Sequence, residues 1–125
     1  MAQTVAVLGA SADRSKFSNK AVRAYVQEGW KVFPVNPKGG EIERLHVYAS
    51  LAEIPEHIDR VTVYLPPPVA VKALPEIAEA NPVELFINPG AESEELIAEA
   101  GRLGLEVILA CSIVDIGLSP SDFPP

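Results

Sequence analysis

Five short apolar runs recur along the chain without the polar alternation of a half-exposed strand. They are rich in valine, isoleucine and leucine, which is typical of strands that are covered on both faces of a parallel sheet. The runs are Thr4–Leu8, Val32–Val35, Val61–Leu65, Leu85–Ile87 and Val107–Leu109. We therefore predict five buried strands.

Stretches with a helical spacing of apolar residues lie between these runs, namely Asn19–Glu28, Pro68–Ala80 and Glu92–Leu103. Strands that alternate with helices of this length form βαβ units with right-handed crossovers. The pattern predicts an α/β fold with a doubly wound, mainly parallel five-stranded sheet and helices on both faces.

Individual residues predict where these helices begin, end and pack. Ser18 is predicted to cap the first helix, with Phe17 stapled against Val22. The predicted buried face of this helix comprises Val22, Tyr25 and Val26, and that of the third helix comprises Leu96, Ile97, Ala100 and Leu103. Gly29 and Gly104 are the predicted stops of these two helices.

The other connections carry weaker signals. Pro75 predicts either a kink in the second helix or a start later than Pro68. Residues 38–55 show no clear long helix, so we expect a crossover with a short helical turn near Ser50–Ile54.

The composition fits one soluble domain spanning residues 1–125. No apolar run approaches the roughly 20 residues that cross a bilayer, and the amino terminus has no basic flank, so we expect neither a membrane span nor a signal peptide. The single cysteine excludes an internal disulfide, which fits a reducing cytoplasm.

The net charge of −7 disfavours nucleic acid or an anionic membrane as the main partner. The charge is unevenly distributed, because six of the ten basic residues but only two of the 17 acidic residues lie in the first 40 positions. This placement favours a small anion as ligand, although solvated helix faces explain several of these charges equally well.

The first loop, GASADRSKFSN at residues 9–19, follows the first predicted strand and leads into a helix. Gly9 allows a close turn, Ser11 and Ser18 offer hydroxyls, and Arg14 and Lys16 add positive charge. Backbone amides at a helix start also attract anions. The loop therefore predicts a pyrophosphate site, although many strand-to-helix turns contain a glycine for steric reasons alone.

The second loop, VNPKGG, places Asn36 where an NAD-binding unit carries an acidic residue for the ribose. A missing carboxylate with Lys38 nearby suits a phosphorylated ribose, as in NADP or coenzyme A. The alternative is that this segment is simply a favourable turn.

The loops after the third and fourth strands carry no nucleophile with its base. Pro66 and Pro67 predict an apolar wall, while Asn88 and Gly90 offer polar groups, a combination that suits a long, weakly polar ligand arm. His46 and His57 are the only histidines. We therefore expect no catalytic residues and no metal site.

Segments from every predicted strand end, taken in order, resemble the CoA-binding domain family. These segments are VAVLGASADRSKFSNKAVRAY, VFPVNPK, SLAEIPEHIDRVTVYLPP, INPGAESEELI and LACSIV, and the likeness covers about residues 4–118. The family consists of small free-standing proteins similar to the N-terminal domain of the succinyl-CoA synthetase α subunit and of ADP-forming acyl-CoA synthetases.

The resemblance implies a Rossmann-like fold with coenzyme A laid across the strand carboxyl ends. Gly9, Ala10, Ser11 and the turn of Lys16, Phe17, Ser18 and Asn19 would meet the pyrophosphate, beside Arg14. Val35, Asn36 and Lys38 would take the adenosine and its 3′-phosphate. Leu65, Pro66, Pro67, Asn88, Pro89 and Gly90 would flank the adenine or the pantetheine arm.

The resemblance also implies coenzyme A or an acyl-CoA as ligand, and no catalysis by this chain alone. In the synthetases a histidine of a second domain is phosphorylated, and neither His46 nor His57 matches it. Cys111, after the fifth strand, is most simply a small apolar residue; the alternative is a thiol that forms a mixed disulfide with coenzyme A.

Alternative interpretations of the function stay open. One is a fragment of an NAD(P)-dependent oxidoreductase, which the absence of G-x-G-x-x-G weakens. Another is the nucleotide-binding half of a split acyl-CoA synthetase, which would dock on a catalytic partner chain. Assembly into a homo-oligomer is a further possibility.

Overall fold

The computed structural model describes residues 2–125. In this part of the chain the strands are β1 (Thr4–Leu8), β2 (Lys31–Val35), β3 (Glu41–Ile42), β4 (Leu45–His46), β5 (Arg60–Val63), β6 (Glu84–Ile87) and β7 (Ile108–Leu109). Five of them form a parallel sheet in the order β2-β1-β5-β6-β7, and β3 and β4 form a separate antiparallel hairpin.

The helices are α1 (Phe17–Gln27), α2 (Pro67–Ala80), α3 (Glu94–Arg102) and α4 (Ser112–Asp115), with 3₁₀ turns at Leu51–Glu53 and Pro120–Asp122. Helices α2 and α3 pack with one face of the sheet, and α1 and α4 pack with the other. The predicted Rossmann-like, doubly wound α/β fold is therefore confirmed. Within residues 2–125, every helix is too short or too polar to span a bilayer.

Strand β1 shows why the apolar runs lack polar alternation. All five of its residues are buried. Val5 and Val7 pack into the layer that contains α1, whereas Ala6 and Leu8 pack into the layer that contains α2. Because helices cover both faces of the sheet at β1, both sets of alternating side chains must be apolar. The prediction of burial is wrong for β7, an edge strand whose Ile108 and Leu109 are 37% and 52% exposed.

The start of α1 differs from the prediction. The helix begins at Phe17 with Lys16 in the N-cap position, and no side chain caps it, so the prediction of Ser18 as cap is wrong. A turn from Asp13 to Lys16, closed by a 3.1 Å backbone hydrogen bond, leads directly into the helix and starts it earlier. Phe17 is 59% exposed, which is incompatible with a staple against the fully buried Val22.

Two residues that were predicted to be buried lie at the edge of the buried face of their helix. Val26 of α1 is 50% exposed and Ile97 of α3 is 44% exposed, so both predictions of burial are wrong. In α3 the buried stripe follows Leu96 and Ala100, four positions apart, and Ile97 is rotated by about 100° from Leu96. The predicted helix stops are confirmed, since Gly29 and Gly104 have positive φ angles of 82° and 74°.

The second helix starts at Pro67, so the predicted later start is wrong. Proline is well suited to the first turn because the amide that it lacks has no partner inside the helix. Pro75 lies within α2 and is exposed to solvent.

The crossover between β2 and β5 contains the predicted short helical turn, at Leu51–Glu53, and also the unpredicted β3–β4 hairpin. Two residues, Glu43 and Arg44, form the hairpin turn with φ angles of 50° and 66°. Left-handed backbone at two consecutive non-glycine residues is uncommon and costs conformational energy.

A buried arginine holds together the amino edge of the sheet, away from the strand carboxyl ends. The Arg60 guanidinium contacts Glu84 at 2.7 Å and Asp115 at 2.9 Å. It also lies 4.9 Å from the ring centre of Trp30 and 4.3 Å from that of Phe86. Arg60 therefore joins β5, β6 and α4 as a structural ion pair network.

We expect Asp59→Asn to lower the melting temperature at pH 7. The Asp59 carboxylate accepts hydrogen bonds from the Thr4 amide at 2.9 Å and the Thr4 hydroxyl at 3.1 Å. These bonds, chiefly that from the amide, hold the pKa of Asp59 below its usual value. A carboxyl with a depressed folded-state pKa stabilises the fold above its unfolded pKa of about 3.9, and this stabilisation is lost as the pH falls through the folded pKa.

Thermal unfolding of the two proteins between neutral pH and roughly pH 2.5 checks this expectation. The difference in melting temperature should shrink on acidification, because the wild-type carboxyl becomes protonated. A difference that is independent of pH would contradict it.

Candidate ligand site at the carboxyl edge of the sheet

The strand order creates a crevice at the carboxyl edge. The chain leaves β1 towards β2 on one side and returns to β5 on the other side, so the connections after β1 and β5 diverge. Ligands of open α/β sheets bind at such a switch point. A cavity of about 430 Å³, called here the larger cavity, lies at this point.

Four segments line the larger cavity. They are Gly9 after β1, residues 15–18 at the start of α1, residues 64–66 after β5, and residues 89–91 after β6. All of them follow carboxyl ends of parallel strands or begin a helix, so their backbone groups converge on the cavity.

Gly9 lets the loops after β1 and β5 approach each other. Its φ is +83°, and a Cβ atom at this position would lie 2.2 Å from the Tyr64 carbonyl oxygen and 2.9 Å from Leu65 Cδ2. No side chain fits this space, so the glycine is required both for its conformation and for the contact.

The start of α1 supplies positive potential to the larger cavity. The first amides of a helix have no partner inside the helix, and no side chain caps them here. Lys16 and Ser18 line the cavity at this point, and Lys16 is exposed to solvent. A helix start with its positive dipole end and an adjacent lysine is a favourable site for an anion.

The loop after β2 is bound to the loop after β1. The Gly9 and Ala10 amides donate to the Val35 carbonyl at 3.1 and 3.2 Å. Asn36 Nδ2 donates to the Ala10 carbonyl at 2.9 Å, and Asn36 Oδ1 accepts from the Lys38 amide at 2.9 Å. The two predicted phosphate-binding loops therefore lie side by side on one rim of the sheet, and the Lys38 side chain is exposed beside them.

The hairpin turn brings an acidic side chain onto the first loop. Glu43 Oε2 lies 3.5 Å from Arg14 Nε and accepts a hydrogen bond from Asn19 Nδ2 at 3.2 Å. Asn19 Nδ2 also donates to the Ser11 carbonyl at 2.9 Å. From the helix, Arg23 donates to Asn19 Oδ1 and to the Arg14 carbonyl, each at 2.9 Å. The first loop is thus held by the β3–β4 hairpin on one side and by α1 on the other.

A second cavity of about 230 Å³, called here the smaller cavity, adjoins the larger one. Phe17, Tyr64 and Pro89 line both cavities, and Asn88, Cys111 and Pro120 complete the smaller one. Burial raises the pKa of the Tyr64 phenol well above its usual value, so this group is neutral at physiological pH.

The structure brings eight of the predicted site residues together around the larger cavity: Gly9, Lys16, Phe17, Ser18, Leu65, Pro66, Pro89 and Gly90. Asn88 borders the smaller cavity. Contact of any of these residues with a ligand stays a prediction.

The other predicted residues lie beside the cavities or within the supporting structure. Ala10 and Val35 are buried in the core. The side-chain amide of Asn36 donates to the Ala10 carbonyl, and that of Asn19 donates to the Ser11 carbonyl. Ser11 Oγ accepts from the Asp13 amide, and Arg14 and Lys38 are exposed on the rim. Pro67 lines a different depression together with Ser93 of the α3 cap.

Three lining residues of the larger cavity were not predicted from the sequence: Ser15, Tyr64 and Ala91. Tyr64 was detectable in principle, because it directly follows a buried strand at the ligand edge. Among residues 2–125, no three histidine, cysteine or acidic side chains group as metal ligands would.

Most of the chain is similar to known proteins. Residues 3–117 match a family model described as CoA binding domain. The α subunit of ADP-forming acetate–CoA ligase I from Pyrococcus furiosus is 36% identical over 83 residues, which are 62% of this chain and 17% of the subunit. The curated relatives are much longer proteins, of which the chain spans 10% to 25%.

Small solved structures share the fold over nearly their whole length. A conserved hypothetical protein from Pyrococcus furiosus superposes with a TM-score of 0.81 at 32% identity, covering 92% of this chain and 99% of that protein. A Thermus thermophilus protein superposes with a TM-score of 0.83 at 31% identity, covering 92% of this chain and 88% of that one.

Proposed function

We propose that this chain, which belongs to the CoA-binding domain family, binds coenzyme A or an acyl-CoA along the carboxyl edge of its sheet. In this proposal residues 1–125 act as one binding unit and carry out no catalysis on their own. The observation that carries it is the larger cavity, which combines the close turn at Gly9 with an uncapped helix start and Lys16.

The pyrophosphate is the part of the ligand that suits the start of α1. Its charges need donors and positive potential, and the free amides at Phe17 and Ser18 supply both together with Lys16. Arg14 stands on the rim of the same loop, with its side chain half exposed.

The ribose phosphate suits the loop after β2. Hydrogen bonds through Asn36 and Val35 fix this loop against the first loop, so a ligand that spans both needs no rearrangement of the backbone. Lys38 is the positive side chain on this loop, and no carboxylate takes the place at which an NAD site would hold the ribose.

The pantetheine arm suits the apolar walls beyond the pyrophosphate. Leu65, Pro66 and Pro89 line the larger cavity and present mostly hydrocarbon surface. Proline-rich loops also lose little conformational entropy when a ligand orders them.

A second candidate function is that of a CoA-binding part in a larger acyl-CoA ligase assembly. It is favoured by the relation to a ligase subunit that is much longer than this chain. In that case the chain alone should form no ATP from acetyl-CoA, ADP and phosphate, as a coupled assay would measure, and steady ATP formation would contradict the assignment of catalysis to a partner chain.

Isothermal titration with coenzyme A, dephospho-CoA, NADP and NAD tests the main proposal. Coenzyme A should bind most tightly, and dephospho-CoA should bind more weakly because it lacks the 3′-phosphate. Absence of heat with coenzyme A at millimolar concentration would refute the proposal. A clear preference for NADP would instead favour a fragment of an oxidoreductase.

We expect Lys38→Ala to weaken coenzyme A binding about fivefold, which corresponds to one exposed charge contact of about 1 kcal/mol. The affinity for dephospho-CoA should change little, so the ratio of the coenzyme A affinity to the dephospho-CoA affinity should fall. Lys72→Ala, which removes the same charge from exposed α2 surface, is the control and should leave the ratio unchanged. An unaltered ratio in Lys38→Ala would remove Lys38 from the site.

A further inference from the structure

The smaller cavity has the properties of a site for an apolar group. Its lining by Phe17, Tyr64, Asn88, Pro89, Cys111 and Pro120 includes no charged side chain, and its surface is almost entirely apolar. Its volume of about 230 Å³ exceeds that of the roughly 150 Å³ apolar cavities that hold benzene in engineered proteins.

The polar groups around the smaller cavity are already satisfied within the protein. Asn88 Nδ2 donates to Thr62 Oγ1 at 2.7 Å and to the Val63 carbonyl at 2.9 Å. Asn88 Oδ1 accepts from the Ser112 amide at 2.9 Å, and the hydroxyls of Thr62 and Ser112 lie 2.7 Å apart. An occupant therefore meets hydrocarbon, aromatic and thiol surface, and an anion would find no counter-charge here.

The two cavities are adjacent, because they share three lining residues. These residues are Phe17, Tyr64 and Pro89, and Phe17 is also the first residue of the helix whose start suits a phosphate. A ligand with an anionic head and an apolar end therefore meets two surfaces of matching character next to each other.

We propose that the smaller cavity holds the acyl group of a short-chain acyl thioester of coenzyme A, of about four to six carbons. The proposal rests on the proposed binding of coenzyme A and adds a preference among its thioesters. Cys111 then lines the acyl site, and the protein binds an aliphatic thioester of coenzyme A more tightly than coenzyme A with its free thiol.

A titration series with coenzyme A and its acetyl, butyryl, hexanoyl and palmitoyl thioesters tests the proposal. Affinity should rise roughly fourfold for each added methylene up to butyryl or hexanoyl, because each buried methylene contributes about that factor. The affinity should then stop rising once the cavity is full. Equal affinity for coenzyme A and all thioesters would overturn the acyl site and leave the proposed function intact, whereas no binding by any member would overturn both.

A variant that fills the smaller cavity separates the acyl site from the rest of the ligand site. Cys111→Leu should abolish the preference for butyryl-CoA and keep the affinity for coenzyme A. The matched control is Val114→Leu, which adds one methylene on α4 at a side chain that is 59% exposed. An unchanged preference in Cys111→Leu would overturn the proposal.

The wild-type protein gives a second measurement in case that variant fails to fold. Cys111 is the only cysteine, so its alkylation by iodoacetamide reports on the smaller cavity alone. At equal saturation, butyryl-CoA should slow this alkylation more strongly than acetyl-CoA, and neither thioester has a free thiol that would itself react with iodoacetamide. Equal rates in the two complexes would overturn the proposal.

Discussion

Gly9→Ala should weaken coenzyme A binding about a hundredfold and lower the free energy of unfolding by about 3 kcal/mol. The new methyl group would lie 2.2 Å from the Tyr64 carbonyl oxygen. That carbonyl cannot simply move, because the Tyr64 amide is bound to the Leu8 carbonyl at 2.9 Å. Either the first loop or the end of β5 must shift, and the larger cavity loses the alignment of its donors.

The magnitude follows from the two parts of the change. A left-handed alanine costs about 1 kcal/mol and a forced contact in a packed region costs about 1–3 kcal/mol. Loss of two charge-assisted hydrogen bonds of about 1.5 kcal/mol each corresponds to about two orders of magnitude in the dissociation constant. Chemical denaturation and titration with coenzyme A measure the two effects separately.

Gly29→Ala is the matched control. Gly29 has φ +82°, almost the same as Gly9, but a Cβ atom there would meet nothing within 4 Å. The control should lose about 1 kcal/mol of stability and keep its coenzyme A affinity. If both variants lost the same affinity, backbone strain rather than the contact with Tyr64 would explain the result, and the proposed role of Gly9 in the ligand site would be wrong.

The layered fold was predictable because β1 and its neighbours are buried on both faces. Continuous apolar runs are typical of strands buried on both faces, and the stretches with helical spacing between them predict the helices that connect parallel strands. The order of the strands in the sheet was harder to predict, because no local sequence pattern indicates on which side of β1 the strand β5 lies. The β3–β4 hairpin was missed because its strands contain two residues each, too few to show a period.

The candidate site was predictable in its loops but less so in the role of each side chain. Parallel strands bring their carboxyl ends to one edge, which is why Gly9, Pro66 and Pro89 meet around one cavity. The carboxamides of Asn36 and Asn88 instead form hydrogen bonds with other groups of the protein. The sequence does not distinguish a loop asparagine that stabilises the loop from one that contacts a ligand. Pro120 was missed because only the three-dimensional fold brings the end of the chain to Phe17.

The hairpin turn adds a charge that opposes an anionic ligand. Glu43 adopts a left-handed conformation that is unfavourable for a side chain, and its carboxylate lies 3.5 Å from Arg14 Nε on the first loop. A phosphate on this loop would compete with Glu43 for Arg14 and would also be repelled by the carboxylate. At distances of about 4 Å such repulsion amounts to about 1 kcal/mol in water and more near a protein surface.

Glu43→Gln should therefore raise the affinity for coenzyme A about tenfold, and the gain should shrink at high salt because exposed charges are screened. The glutamine keeps an oxygen that can accept from Asn19 Nδ2, so the loop should stay in place. Glu41→Gln makes the same change of charge at an exposed residue of the same hairpin and serves as control. Titrations at low and high salt compare the three proteins. If Glu43→Gln bound coenzyme A more weakly, the carboxylate would be a positioning group for Arg14 and Asn19, and the proposed competition would be wrong.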